Sequence, residues 1–123
     1  MKVTLLNNKR YFSAGGKTNE EIEITDISFT DRPNVILGRA ILPLSKLEKN
    51  VVIYGQTVAD GQVEYRTISA KCPHQGADIS QDELKADGNV YCSLHHRPIG
   101  VFSEYNYAYL VEKRADKFFI VKT

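Results

Sequence analysis

Both cysteines and all three histidines of this 123-residue chain lie in two short stretches, KCPHQG and YCSLHH. Cys72 is followed two positions later by His74, and Cys92 is followed three positions later by His95. Thiolate and imidazole groups are ligands of iron–sulfur clusters and of zinc. If the two stretches meet in space, they supply two sulfur and two nitrogen donors. The spacing therefore predicts a four-ligand metal centre.

The residues around these ligands suit tight loops. Pro73, Gly76, Pro98 and Gly100 flank them, and glycine lets the backbone bend sharply and approach bound sulfur closely. A single buried cysteine is usually only a small apolar residue. Two matched cysteine–histidine pairs at short offsets arise by chance in about one chain in a thousand, so the pairs favour a ligand role.

The remainder of the chain has the pattern of β-strands separated by turns. We predict hairpin turns at residues 7–9, 60–61 and 115–116, and a further Asp-Gly turn at 87–88 before NVYCSL. Asp-Gly favours tight turns because glycine readily adopts positive φ. The strand period slips near Asp26, and only the short segment SQDELKA has helical composition. These patterns predict an all-β protein built from antiparallel sheets.

Composition limits the function classes. The length predicts one domain, and 16 basic against 15 acidic residues give a net charge of +1. Nucleic acids and anionic membranes bind concentrated basic surfaces, so neither is the expected partner. No apolar run is long enough to span a membrane, and the N-terminal sequence does not read as a signal peptide. We therefore expect a reducing, cytoplasmic location, in which a disulfide between the two cysteines is disfavoured.

The sequence Cys-Pro-His-Gln-Gly-Ala is followed by Cys-x-x-His, and seventeen residues, Gln75 to Tyr91, separate His74 from the second cysteine; this pattern resembles a Rieske [2Fe–2S] domain. The resemblance is closest to the soluble Rieske-type ferredoxins and covers roughly residues 38–123. It implies one domain over residues 1–123, with a base of antiparallel sheets and a small cluster-binding subdomain built from two loops. Residues 70–102 would carry those loops, and residues 1–37 would be divergent N-terminal strands of the base.

The resemblance also implies the ligands of a Rieske-type [2Fe–2S] cluster. Cys72 and Cys92 would hold one iron, and His74 and His95 the other, with His96 as the alternative to His95. Neutral imidazoles leave the cluster less negative, so Rieske potentials lie above those of all-cysteine ferredoxins. The histidine-bound iron would lie at the loop tips, where redox partner proteins would dock.

Several positions depart from the pattern of respiratory Rieske proteins. Ala77 and Leu94 stand where those proteins have two further cysteines. Arg97 and Ile99, two and four positions after His95, stand where they have hydroxyl residues that hydrogen-bond sulfur. Because such donors stabilise the reduced cluster, we expect a potential toward the low end of the Rieske range of about −150 to +300 mV.

The expected function is one-electron transfer from a reductase to a terminal oxygenase or other oxidoreductase. Once the cluster is built, only His96 remains, so a two-histidine, one-carboxylate oxygenase site cannot be assembled. We therefore expect a carrier that is not itself an enzyme. Two alternatives stay open. The chain could be a small Rieske subunit of a nitrite-reductase-like or oxygenase complex, or a structural Cys₂His₂ zinc domain.

Overall fold

The computed structural model describes residues 14–32, 34–43, 46–57, 61–71, 78–80, 82, 84–92, 98–103 and 106–122. Within these residues the chain is all-β, as predicted, and has no α-helix. The strands are β1 (Ile22–Phe29), β2 (Val35–Ile41), β3 (Glu48–Thr57), β4 (Val63–Ser69), β5 (Asn89–Tyr91), β6 (Pro98–Gly100), β7 (Tyr109–Arg114) and β8 (Lys117–Ile120). The described residues include no helix capable of crossing a membrane.

Six of the strands form a closed antiparallel barrel. Its order is β1-β2-β3-β4-β7-β8, and β8 returns to pair with β1 through Ile22↔Ile120 and Ile24↔Phe118. Closure matters because it removes the unpaired strand edges of an open sheet. The remaining strands, β5 and β6, form a separate two-stranded sheet. The predicted division into antiparallel base sheets and a smaller second unit is confirmed.

The local turn signals give the predicted hairpins. Strands β3 and β4 pair from Val51↔Ser69 to Thr57↔Val63, and Gly61 in their connection has φ of +74°. The β7–β8 hairpin turns at Ala115, with φ of +58°. The hairpin predicted at residues 7–9 lies outside the described residues.

The strand slip predicted near Asp26 is a register irregularity in β1. The pairing with β2 shifts between Thr25 and Ser28, and Asp26 has φ of +53°. An extra residue in one strand of an antiparallel pair bends that strand. The segment SQDELKA forms no helix in its described residues, because Leu84 instead makes an antiparallel bridge to Val90.

The barrel interior is filled by apolar side chains, which we call the barrel core. Its buried members are Ile24, Ile36, Ala40, Leu42, Val51, Ile53, Val111, Phe118 and Ile120. The Tyr65 ring packs edge-on to Phe118 with 5.5 Å between centroids. Gly55, the cross-strand partner of Tyr65, leaves room for this ring, since a Cβ there would lie 2.9 Å from a ring atom.

A second set of buried side chains, the junction core, packs between the outer face of β3–β4 and the β5–β6 sheet. Its members are Val35, Val52, Tyr54, Ile68, Ala70, Ile79, Val90, Cys92, Ile99, Val101, Phe102 and Ala108. Successive side chains of a strand point to opposite faces, so Val51 and Ile53 enter the barrel core while Val52 and Tyr54 enter the junction core. From Val51 to Gln56, strand β3 is thus buried on both faces.

Candidate metal centre

The first predicted ligand stretch begins where β4 ends. Lys71 and Asp78 form an antiparallel bridge, so the intervening residues 72–77, the first ligand loop, start and finish beside each other. Ala70 strengthens this closure by accepting a hydrogen bond from the Ile79 amide at 2.7 Å. The Ala70 amide itself donates to the Asn50 carbonyl at 2.8 Å. The first loop is therefore closed by backbone pairing just beyond the end of β4.

The second predicted ligand stretch is closed by the small sheet. Strands β5 and β6 pair through Asn89↔Gly100, Val90↔Ile99 and Tyr91↔Pro98. The Tyr91–Pro98 pair brings together the two ends of residues 92–97, the second ligand loop. Each predicted cysteine–histidine stretch thus lies between two residues that are paired through their backbones.

The structure places one of the four predicted ligands. Cys92 is fully buried, with 0% of its surface exposed, and belongs to the junction core. Cys72, His74 and His95 lie outside the described residues, as does the alternative ligand, His96.

Residues next to both closing pairs belong to one packed unit. Ala70 and Ile79 flank the first loop, Val90 and Ile99 pair next to the second, and all four are buried with Cys92 in the junction core. Because residues beside both loops pack in the same core, the packing fixes the position of one loop relative to the other. A site with one thiolate and one imidazole from each loop requires this arrangement, and a buried cysteine suits the water-shielded side of such a site.

The predicted Asp87-Gly88 turn before β5 is confirmed. Close packing, as well as backbone conformation, requires a glycine at position 88. Gly88 has φ of +87°, and a Cβ there would lie 2.9 Å from the Phe102 carbonyl carbon. The Gly88 carbonyl accepts hydrogen bonds from the Val101 amide at 3.1 Å and the Phe102 amide at 2.9 Å. The turn before the second loop is therefore bonded to the chain that leaves it.

Asp87 stabilises the same turn through its carboxylate. The Asn89 amide donates to one carboxylate oxygen at 3.0 Å, and the Tyr91 hydroxyl donates to the other at 2.5 Å. Slight burial raises the pKa of Asp87, but these hydrogen bonds outweigh it, so the pKa lies below its ordinary value of 3.8. The charged carboxylate is the form that supports the turn.

One side chain from the β1–β2 connection and one from β3 hold the chain that leaves the first loop. The Arg32 guanidinium donates to the carbonyl oxygens of Ser80 and of Asp82, the latter at 3.3 Å. The Tyr54 hydroxyl also donates to the Asp82 carbonyl, at 3.4 Å. Burial, and then the Asp82 charge, raise the pKa of Tyr54, although Arg32 acts in the opposite direction. Tyr54 therefore remains a protonated hydrogen-bond donor.

A third side chain, on β4, holds the chain that leaves the second loop. Arg66 on β4 donates from Nη1 to the Val101 carbonyl at 2.7 Å and lies 4.7 Å from the centroid of the Phe102 ring. Our sequence reasoning missed Arg32, Tyr54 and Arg66. The sequence signal was weak: Arg66 shares its strand phase with the apolar Ile68 but also with the charged Glu64, which is only partly buried.

A protein-family model described as the Rieske [2Fe–2S] domain matches residues 35–102, which is more than half of the chain. The matched region runs from the first residue of β2 to Phe102, and so it includes both ligand loops and most of the junction core. Neither the curated proteins nor the solved structures searched contain a match.

Proposed function

Because this chain belongs to the Rieske [2Fe–2S] domain family, we propose that it is a ferredoxin-type carrier that moves single electrons from a reductase to a terminal oxygenase or other oxidoreductase. Rieske domains bind a Rieske-type [2Fe–2S] cluster and exchange electrons with redox partner proteins. The observation that carries the proposal is the convergence of both loop-closing pairs on one junction core that contains Cys92. In this proposal the chain has no catalytic site of its own.

The ligands in this proposal are Cys72 and Cys92 for one iron and His74 and His95 for the other. The cluster, when bound, supplies a one-electron redox centre. The full burial of Cys92 supports an arrangement in which the cysteines form the inner end of the site. The histidines would then form the outer end, through which electrons would enter and leave. Residues 70–102 are accordingly the cluster-binding part of a single domain.

The environment at Ile99 supports a low potential for a Rieske cluster. Ile99 is buried in the junction core and pairs with Val90. Its aliphatic side chain has no hydroxyl to donate to a cluster sulfur. We propose a midpoint toward the low end of about −150 to +300 mV. A redox titration checks this value, and a strongly positive midpoint would contradict it.

Partner docking is proposed at the loop tips, in a cytoplasmic setting. The described rim of the two loops exposes Lys71, Asp78 and Pro98, so it presents both signs of charge. Such a mixed rim suits the small, transient interfaces of electron-transfer proteins. If the chain is instead a subunit of a larger redox enzyme, native purification should retain a large stable partner. A free carrier should purify without one.

The first experiment is anaerobic isolation, followed by iron and labile-sulfide analysis and by optical and reduced-state EPR spectra. We expect two irons and two sulfides per chain, visible absorption, and an EPR signal after reduction. A structural zinc protein would give colourless material. Colourless protein without iron or sulfide after reconstitution would refute the proposed function.

The ligand set is tested by His95→Cys, with His96→Gln as its matched control. The first change should retain iron but lower the midpoint, because a thiolate adds negative charge where a neutral imidazole stood. The control should leave the midpoint near that of the wild type. An effect of His96→Gln with none of His95→Cys would assign the ligand role to His96.

A further inference from the structure

Arg66 is a buried charge in the wall between the barrel and the small sheet. Among the residues that the structure describes, it is the one charged side chain that is almost fully buried, with 2% exposed. Removing a guanidinium from water is costly unless its donors are paired. Its environment therefore has to supply specific partners.

Three contacts surround the guanidinium group. Nε lies 2.8 Å from the Glu64 carboxylate, Nη1 donates to the Val101 carbonyl at 2.7 Å, and the Phe102 ring lies under the guanidinium carbon at 4.7 Å. A planar guanidinium can satisfy an anion, a carbonyl and an aromatic face in one orientation. The contacts therefore hold residues 101–102 at a defined position against β4.

The two residues held by Arg66 are bonded in turn to the start of the small sheet. The amides of Val101 and Phe102 both donate to the Gly88 carbonyl, and Gly88 immediately precedes β5. Arg66 is thus linked to the chain on both sides of the second loop. It contacts residues 101–102 directly, and their two amides connect it to Gly88. It also lies on β4, and Lys71 of the first closing pair follows two residues after that strand ends.

We propose that Arg66 is a positioning residue that sets the second ligand loop relative to the first. The proposal rests on the proposed function, since its consequence is the geometry of the ligands around the cluster. Without this clamp, the β5–β6 sheet can shift against β4 while the barrel remains closed. Cluster spectra and cluster retention should then change.

The decisive variant is Arg66→Lys, which retains the positive charge but loses the planar fork. We expect an altered or broadened reduced-state EPR spectrum and about tenfold faster loss of iron to a chelator, in keeping with the loss of a charge-assisted hydrogen bond. Hydrogen exchange of residues 98–103 should also become faster. Arg66→Met should give larger changes in the same direction.

Arg114 provides a matched control. It pairs through Nε with Glu112 at 2.5 Å, also two residues earlier, and its guanidinium lies 4.8 Å from the Phe119 ring centroid. Its side chain is 42% exposed and also pairs with Glu21 at 2.7 Å. It lies on the β7–β8 hairpin, which contributes a residue to neither closing pair. Arg114→Met should leave the EPR spectrum and the rate of iron loss unchanged.

The possible results separate this inference from the proposed function. Absence of a cluster in the wild type refutes the proposed function, while the exchange of residues 98–103 still tests the clamp. A wild-type cluster with Arg66→Lys indistinguishable from it overturns the positioning role, including the case in which only Arg66→Met has an effect. If Arg66→Met does not fold, Arg66→Lys decides alone. Equal effects of Arg114→Met would also overturn the inference.

Discussion

The barrel core and the junction core differ in what is buried with their apolar side chains. The barrel core consists of aliphatic residues and Phe118, contributed by strands that close on one another. The junction core includes Cys92, and Arg66 contacts its members Val101 and Phe102. The side chains of the first are all apolar, whereas the second combines apolar packing with directional polar contacts. The comparison indicates that substitutions in the barrel core should lower stability, and those in the junction core should also change the metal site.

The strongest challenge to this comparison is Cys92→Ser in the junction core. A serine hydroxyl is a poor replacement for a thiolate toward iron, so we expect nearly complete loss of cluster iron and sulfide. The matched barrel change is Val51→Thr, which also buries a hydroxyl and should cost about 1–3 kcal/mol of unfolding free energy. It should leave the iron content unchanged. Full cluster occupancy in Cys92→Ser would show that Cys92 is not a ligand.

Two isoleucines of equal burial sharpen the comparison. Ile120 in the barrel core is 0% exposed and Ile99 in the junction core is 1% exposed. Truncating either to alanine should cost about 2–5 kcal/mol, measured by denaturant unfolding of the isolated proteins. Only Ile99→Ala should also change the EPR spectrum and the midpoint potential. An equal spectral change in Ile120→Ala would mean that the two cores are not separable.

Two turn glycines give a smaller contrast. Gly61 has φ of +74° and open space around the position that a Cβ would take, so Gly61→Ala should cost only the backbone strain of about 1–2 kcal/mol. Gly88→Ala has the same kind of strain and also collides with the Phe102 backbone. We expect a larger loss of stability, by about 1–3 kcal/mol, and faster iron loss. Similar unfolding midpoints for the two variants would contradict the close approach at Gly88.

The smallest effect concerns pH. The lowered pKa of Asp87 means that its stabilising contribution is complete above the ordinary value of 3.8 and is lost as pH falls through the lower, folded-state pKa. Asp87→Asn should therefore be less stable than the wild type at neutral pH and indistinguishable from it at strongly acid pH. Thermal unfolding at several pH values measures the difference. A stability difference between the wild type and Asp87→Asn that increased at lower pH would contradict this prediction.

Glu21 is the control for this titration on the barrel surface. The hydrogen bond from Arg114 also lowers the pKa of Glu21, against slight desolvation. Glu21→Gln should show a pH trend of the same sign, but hydrogen exchange of residues 98–103 should not respond to it. Asp87→Asn should increase that exchange, because Asp87 supports the turn bonded to Val101 and Phe102.

The sequence predicted those parts of the fold that depend on neighbouring residues. Strand alternation and turn chemistry were sufficient for the β3–β4 and β7–β8 hairpins, the irregularity at Asp26 and the turn at Gly88. Barrel closure was not predicted, because the pairing of β1 with β8 joins segments nearly a hundred residues apart and has no local signature. Local signals therefore gave the pieces but not the way in which they close.

The candidate site divides in a similar way. Cysteine and histidine spacing identifies ligand candidates directly, because their side chains carry the chemistry. Arg32 and Arg66 were missed because their partners are backbone carbonyls 50 and 35 residues away, and any residue type can supply a carbonyl. The ligand assignment of Cys72, His74, Cys92 and His95 remains a prediction, and only the burial of Cys92 is observed.

Strand β3 has apolar side chains on both faces, and this affects how its alignment with β4 is chosen. In a strand with one buried face, a one-residue shift in pairing register moves the apolar side chains into solvent, and the loss of hydrophobic burial strongly disfavours it. In β3 such a shift would exchange the side chains of the barrel core for those of the junction core. Because both sets are apolar, hydrophobicity alone distinguishes the two registers only weakly. Size discriminates instead: the Tyr65 ring occupies the space beside Gly55, and a slide would bring a bulkier neighbour, Tyr54 or Gln56, against that ring. Gly55, which has no side chain, thereby fixes the pairing register of β3 with β4, the strand that leads to the first ligand loop.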